Sequence, residues 1–277
     1  MPVDHYENFP VASILLPPRV RRPIESIYAF ARSADDFADE GSFSNSERIE
    51  RLSNYDRELA NIAAGIGTDH PLFVELGRNI RTFDLPIQLL HDLLDAFKQD
   101  VIKTRYENYA ELVDYCRRSA NPIGRLLLHL FDIREQRLLE MSDQICTALQ
   151  LINHWQDIAI DWKKNATGRV YLPQDEMHQF GVSDHHIATE AAGGAWQSLM
   201  TFQVNRARQL MLSGAPLAHT IKGRFGIELQ LIVAGGLTIL DKIEAANFDV
   251  FRQRPTLSRL DWLMIICRVI PAAIIRR

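Results

Sequence analysis

Sulfur is scarce and scattered in this 277-residue chain: Cys116, Cys146 and Cys267 form neither a CxxC pair nor a Cys/His zinc pattern. A disulfide framework and a structural zinc are therefore excluded as sources of stability, and reduced thiols are expected. Positive charge is not concentrated either. Lys and Arg are spread along a chain of net charge −4, so there is no basic stripe to hold nucleic acid. No GxGxxG fingerprint or strand-turn-helix able to hold a nicotinamide is present. The apolar tail from Trp262 to Ile275 is interrupted by Arg268 and Pro271, short of the roughly 20 unbroken apolar residues a spanning helix needs. It is expected either to pack as a terminal core helix or to rest reversibly on a membrane surface, with Arg268, Arg276 and Arg277 near the headgroups. The start, MPVDHYENFP, carries acids where an export signal needs a basic and then an apolar run. A cytoplasmic protein is expected.

Proline is rare after the opening: five of the twelve prolines fall within the first 23 residues, leaving long stretches that suit helices. Alternating β-branched runs with hairpin turns are missing. Apolar residues recur at helical intervals and predict helices over residues 24–38, 46–64, 86–98, 108–118, 122–131, 137–163, 183–213 and 226–246. Residues 168–173 read as a short extended loop. With no repeat and no low-complexity linker, residues 1–277 are expected to form one all-α domain.

What stands out against this background is acid. Asp35, Asp36, Asp39 and Glu40 lie close together near the start, and Asn153, Asp157 and Asp161 recur every fourth residue past the middle. Residues four apart on a helix share a face, so each group aims several oxygens the same way. Two carboxylates about 6 Å apart at an effective dielectric near 20 repel by roughly 3 kcal/mol. No Lys or Arg lies within either group to relieve that cost. The second group also sits among Leu151, Ile152, Trp155, Ile158, Ile160 and Trp162, where a buried charge must be paired or metal-bound. A hard cation with oxygen ligands answers both demands, and Mg²⁺, which binds a few carboxylates together with substrate phosphates, is the expected cofactor. Neutralising one acid is then expected to relieve repulsion and to raise stability in the absence of metal.

The series Tyr28-xxx-Arg32-xx-Asp35-Asp36-xx-Asp39-Glu40, then Asn153-xxx-Asp157-xxx-Asp161, then Gly168-Arg169-Val-Tyr171-Leu-Pro173 resembles the squalene/phytoene synthase family. The likeness extends from His5 to the Arg252/Arg254 region. It implies an isoprenoid-synthase helical bundle around a central cavity, an isoprenoid diphosphate substrate, and other enzymes of squalene and hopanoid metabolism as partners. By the same resemblance Asp35, Asp39, Asn153, Asp157 and Asp161 hold Mg²⁺ with Asp36 as a helper, while Tyr28, Arg32 and Gln150 line the diphosphate site and Arg254 joins the substrate-binding set. Ionising such a diphosphate requires neutralising the departing pyrophosphate, for which Mg²⁺ and Arg are suited. The carbocation left behind needs a dry aromatic wall, for which Phe30, Phe37, Tyr115, Trp155 and Tyr171 are candidates.

Three departures from the condensing members of the family point the same way. Gln156 stands where they usually carry an Arg before the Asp157 position. Their Tyr-Cys-xx-Val-Ala-Gly tract is here Tyr115-Cys116-Arg-Arg-Ser-Ala120-Asn121-Pro122-Ile-Gly124, and a phosphate-attracting Lys is replaced by Glu7 within His5-Tyr6-Glu7-Asn8-Phe9. The chain thus resembles the branch of the family that ionises presqualene diphosphate and lets water capture the cation without a reductant. Asn121 and Gln156 are candidates to position that water, and Tyr171 completes the expected catalytic set. Condensation of farnesyl diphosphate and a helical assembly protein without chemistry are the competing readings. Product analysis separates the first, metal binding the second.

Overall fold

The computed structural model describes residues 16–164 and 168–275. The segment from His5 to Phe9, with Glu7, and the terminal Arg276 and Arg277 lie outside the described residues. Helices account for every regular element among them: α1 (Pro18–Asp39), α2 (Asn45–Ala63), α3 (Pro71–Phe83), α4 (Gln88–Ile102), α5 (Tyr109–Ser119), α6 (Asn121–Leu130) and α7 (Gln136–Asp161), followed by α8 (Gln174–Gln179), α9 (Asp184–Ala188), α10 (Ala195–Gly214), α11 (Pro216–Thr220), α12 (Gly223–Ala245) and α13 (Arg259–Ile275). The only ladder contact among the described residues is a bridge between Arg105 and Val170. It anchors the extended loop after α7, where the Val170 amide donates to the Thr104 carbonyl at 3.0 Å.

The start signals work as their chemistry requires. Ser44 caps α2 in a capping box with Glu47, and the Asn108 side chain accepts from the Glu111 amide at the head of α5. α7 is the central helix, packed against α5, α6, α10 and α12, while α1 packs on α2, α3 and α4. This places the ends of α1 and α7, which carry the two acidic groups, next to each other around a shared interior.

Several predicted boundaries shift, and each for a local reason. The helix predicted over 183–213 is two helices: Gly194, at φ +56°, turns the chain just before α10, a conformation that suits glycine. The helix α3 was not predicted; it opens at Pro71 without a side-chain cap and carries Gly77 in its middle. α4 runs on to Ile102, beyond the predicted end at 98, and the extension carries Asp100 to the site. In α13 the helix continues through Pro271 instead of stopping there. α13 buries Ile265 and Val269 against the fold and leaves Leu260, Leu263 and Met264 more than half exposed. One helix, α12, is long and apolar enough to cross a membrane, but half of its most apolar window is buried inside the protein. It is packed against α7, α10, α11 and α13.

Candidate active site

The two acidic groups meet, and what joins them is an ammonium. Lys164, just past the end of α7, contacts Asp39 of α1 at 2.5 Å and Asp161 of α7 at 3.3 Å. Beside it, the buried Arg169 donates to Asp39 at 3.0 Å. Arg169 also donates to the Asp100 carbonyl at 2.8 Å. Gly168 lets the chain reach this position, since its φ of +67° and its contact with the Trp162 ring leave no room for a side chain. At the outer end of each group stands another cation. Arg32 holds Asp35 at 3.3 Å, Asp36 at 2.8 Å and Glu40 at 2.9 Å. Arg254 grips Asp157 with two hydrogen bonds of 2.5 and 3.1 Å.

These contacts correct the reading that the acids stand unrelieved until metal arrives. Arg32 and Lys164, each within a turn of one group, and the more distant Arg169 and Arg254 already pair with them. Among the described residues no three acidic, His or Cys side chains converge to hold an ion in this arrangement, and the carboxylates are instead drawn to Arg32, Lys164, Arg169 and Arg254. Relief is nevertheless incomplete. Asp35 opens on the cavity yet is walled in by protein, and this enclosure, followed by Asp39 one turn away, pushes its carboxyl up to about 7. Burial, opposed by Lys164 and reinforced by Asp157, holds Asp161 up at about 6. Burial would also raise Asp39, but Arg169 and Lys164 outweigh it and hold that carboxyl below the usual range.

Beneath the acids lies an aromatic stack with a buried carboxylate behind it. Asp100 accepts from the Tyr115 hydroxyl at 2.7 Å and from the Tyr171 hydroxyl at 3.0 Å. His154 stacks on Tyr171 with ring centroids 3.6 Å apart. Burial, aided by Lys164 and Arg169, lowers the His154 imidazole to about 3, so it stays neutral. Its Nε2 lies 3.4 Å from the Gln150 amide.

A cavity of about 490 Å³ opens next to these groups, lined by α1, α4, α5, α6, α7 and α12. Its walls are mostly aliphatic: Ile24, Ile27, Ala31, Ile123, Leu127, Leu229 and Ile232 among others. Tyr28, Arg32, Asp35, Gln150 and Asn153 line it as expected and form a polar head. The expected aromatic wall is largely different. Of the predicted five only Tyr115 faces the cavity, joined by Tyr28, Phe97 and Phe225. Phe30 and Phe37 pack on Tyr55, Trp155 is wholly buried, and Tyr171 lies under His154.

The two polar replacements turn away from the cavity. Asn121 is buried and accepts from Thr147 at 3.0 Å. Gln156, also buried, donates to the Pro255 carbonyl at 2.5 Å and so holds the segment that presents Arg254 to Asp157. Asp100, His154, Lys164 and Arg169 were not among the expected site residues. Arg169 stands within the Gly168–Pro173 motif, but its partner Asp39 is 130 positions away, and no local spacing reveals such a pair.

A sequence profile of squalene/phytoene synthases matches residues 3–261. The chain belongs to the squalene/phytoene synthase family. It is 33% identical to a hydroxysqualene synthase of Rhodopseudomonas palustris over 98% of this chain and 90% of that protein. A hydroxysqualene synthase of Zymomonas mobilis is 35% identical over 82% of this chain and 75% of its own length. Among solved structures, a squalene synthase from Alicyclobacillus acidocaldarius superposes with a TM-score of 0.81 at 36% identity, covering 89% of this chain and 91% of that one. This chain is therefore an enzyme with the all-α isoprenoid-synthase fold.

Family membership leaves the energetics of the charged head to be tested directly. In chelator, Asp39→Asn is expected to lower stability by about 3 kcal/mol, because it strips the buried Arg169 of its carboxylate. Asp35→Asn should instead raise the thermal midpoint, since it removes a walled-in charge that faces Asp39. Thermal melts of both variants check this, and shifts of the same sign in the two would contradict the assignment of opposite roles.

Proposed function

We propose that this enzyme converts presqualene diphosphate and water into hydroxysqualene and diphosphate with the help of Mg²⁺. The observation that carries the reading is a predominantly apolar cavity whose polar head of Tyr28, Arg32, Asp35, Gln150 and Asn153 lies beside the joined acidic groups of α1 and α7, in a chain 33–35% identical to hydroxysqualene synthases. The donor set suits Mg²⁺: Asp35, Asp39, Asn153, Asp157 and Asp161 offer oxygens only, and the raised Asp35 and Asp161 carboxyls mark where more positive charge is wanted. When bound, Mg²⁺ would supply Lewis-acid neutralisation of the leaving diphosphate. Arg32 and Tyr28 then hold the diphosphate end of the substrate, and Gln150, braced by His154, orients it. The aliphatic walls keep bulk water from the hydrocarbon part, so that the charge left on carbon survives long enough to rearrange. Asp100 holds the Tyr115 ring in place at the cavity edge.

Product analysis after incubation with presqualene diphosphate and Mg²⁺, without NADPH, should give a C30 alcohol carrying oxygen from labelled water. Squalene as the dominant product with NADPH, or presqualene diphosphate formed from farnesyl diphosphate, would replace this reading with another reaction of the family.

Lys164 already occupies the place between Asp39 and Asp161 that added charge would take. Lys164→Met should therefore tighten Mg²⁺ binding several-fold in calorimetry while lowering the melting point of the metal-free protein. Weaker Mg²⁺ binding by this variant would show that the ammonium assists the metal instead of competing with it.

The exposed apolar face of α13, flanked by the exposed Arg259 and Arg268, fits reversible contact with an anionic membrane surface, where a C30 product partitions. Flotation with anionic liposomes should recover the protein, and the double change Leu263→Glu, Met264→Glu should abolish recovery. Resistance of the bound protein to alkaline washing would argue for integral insertion instead.

A further inference from the structure

With Asn121 and Gln156 turned away from the cavity, the cation-terminating water needs another partner. The helix α12 supplies one face of the cavity through Phe225, Glu228, Leu229 and Ile232, a spacing of three, four and seven that forms a single helical stripe. Three of these four are apolar. The fourth, Glu228, is only 7% exposed. Besides Asp35 it is the sole acid among the lining residues, and Asp35 belongs to the polar head, where Arg32 holds it at 3.3 Å. Glu228 comes from a helix that carries no part of that head. A buried carboxyl in a hydrocarbon-lined wall costs stability that an apolar side chain would not, and its place on the α12 stripe puts it at the cavity away from the polar head.

We propose that Glu228 is the residue that holds the capturing water and accepts its proton. The inference rests on the reaction proposed above. In that step the water oxygen forms a bond to the cationic carbon, one O–H bond breaks, and the proton passes to the Glu228 carboxylate. The products are a neutral alcohol and a protonated Glu228, which returns its proton to solvent when the cavity opens for product release. The balance is complete with no reductant. A positioned carboxylate also decides between outcomes, because a cation in a dry pocket otherwise ends by losing a proton from a neighbouring carbon to give an alkene. General-base assistance of this kind contributes typically 10²–10⁴-fold, ample to set the partition.

The test is the ratio of C30 alcohol to C30 hydrocarbon formed from presqualene diphosphate by Glu228→Gln, Glu228→Leu and Glu228→Asp enzymes, read together with incorporation of labelled water. The ratio should fall by at least about tenfold in Glu228→Gln and further in Glu228→Leu, with alkenes in place of alcohol, and recover in part in Glu228→Asp. If Glu228→Leu does not fold, the near-isosteric Glu228→Gln decides. An unchanged ratio in a folded Glu228→Gln enzyme would overturn the proposal, as would loss of diphosphate release along with the alcohol, which would assign Glu228 to ionisation. Absence of alcohol from the unaltered enzyme would instead refute the reaction on which the inference rests, so the two failures are distinguishable.

Discussion

The contact of Lys164 and Arg169 with Asp39 organises the site. It ties the end of α1 to the chain leaving α7, two segments more than a hundred residues apart, and it does so with charges that are largely out of water. Paired charges of this kind contribute little net stability over an apolar substitute, but breaking one partner away is costly. Geometry is what the pairing secures. With Asp39 held, Asp35 one turn earlier faces the cavity beside Arg32, and with Lys164 held, Asp161 and Asp157 are brought to the same place from the other side. Arg169 extends the lattice inward to the backbone of Asp100, whose carboxylate fixes two tyrosines. Acidic head and aromatic layer are thus one connected unit.

That unit was only half legible in the sequence. The acids announced themselves because their spacing is local: four-residue intervals within α1 and α7 place them on one face whatever the rest of the chain does. Their cations did so only in part: Arg32 stands three and four residues before Asp35 and Asp36, and Lys164 three after Asp161, but the pairs that join the two groups are remote. Lys164 and Asp39 are 125 positions apart, and Arg254 and Asp157 are 97 apart, distances at which periodicity carries no information. The inference that unrelieved repulsion required a metal therefore failed in its premise. Helices followed the same rule. Those with long amphipathic stripes, such as α2, α5 and α7, emerged close to their predicted bounds, whereas α1 begins at Pro18 and runs through Pro23, six residues ahead of its predicted start at 24, and α3, with a mid-helix glycine and no side-chain cap, and the break at Gly194 depend on tertiary packing and on one positive φ.

The polar replacements teach a related lesson about reading departures from a family pattern. Asn121 and Gln156 differ from the residues usual in condensing members, and a changed residue near a site invites a chemical role. Both are instead spent on structure: Asn121 joins the start of α6 to Thr147 of α7, and Gln156 secures Pro255. The latter bond still bears on function at one remove, because Pro255 follows Arg254, and Arg254 is the cation on Asp157. Where condensing members place a positive charge directly on the helix, this chain brings a guanidinium from a distant loop.

On the proposed reaction, a cavity that must exclude bulk water and yet admit one molecule of it faces a physical conflict. Aliphatic walls from α1, α6 and α12 give no foothold to water, and a cation enclosed by them would sooner lose a proton than meet a nucleophile. A polar group within that wall resolves the conflict if it is fixed and has little polar company, and outside the head Glu228 is the one acid, with the Ser119 hydroxyl also lining the cavity. The two ends of the cavity are accordingly unlike. At the head Arg32 and Asp35 would meet the diphosphate; in the wall, the Glu228 carboxyl shares its helical stripe with Phe225, Leu229 and Ile232. On the proposed reaction, separation of the two along different helices would keep departure of the anion and arrival of water from competing for the same residues.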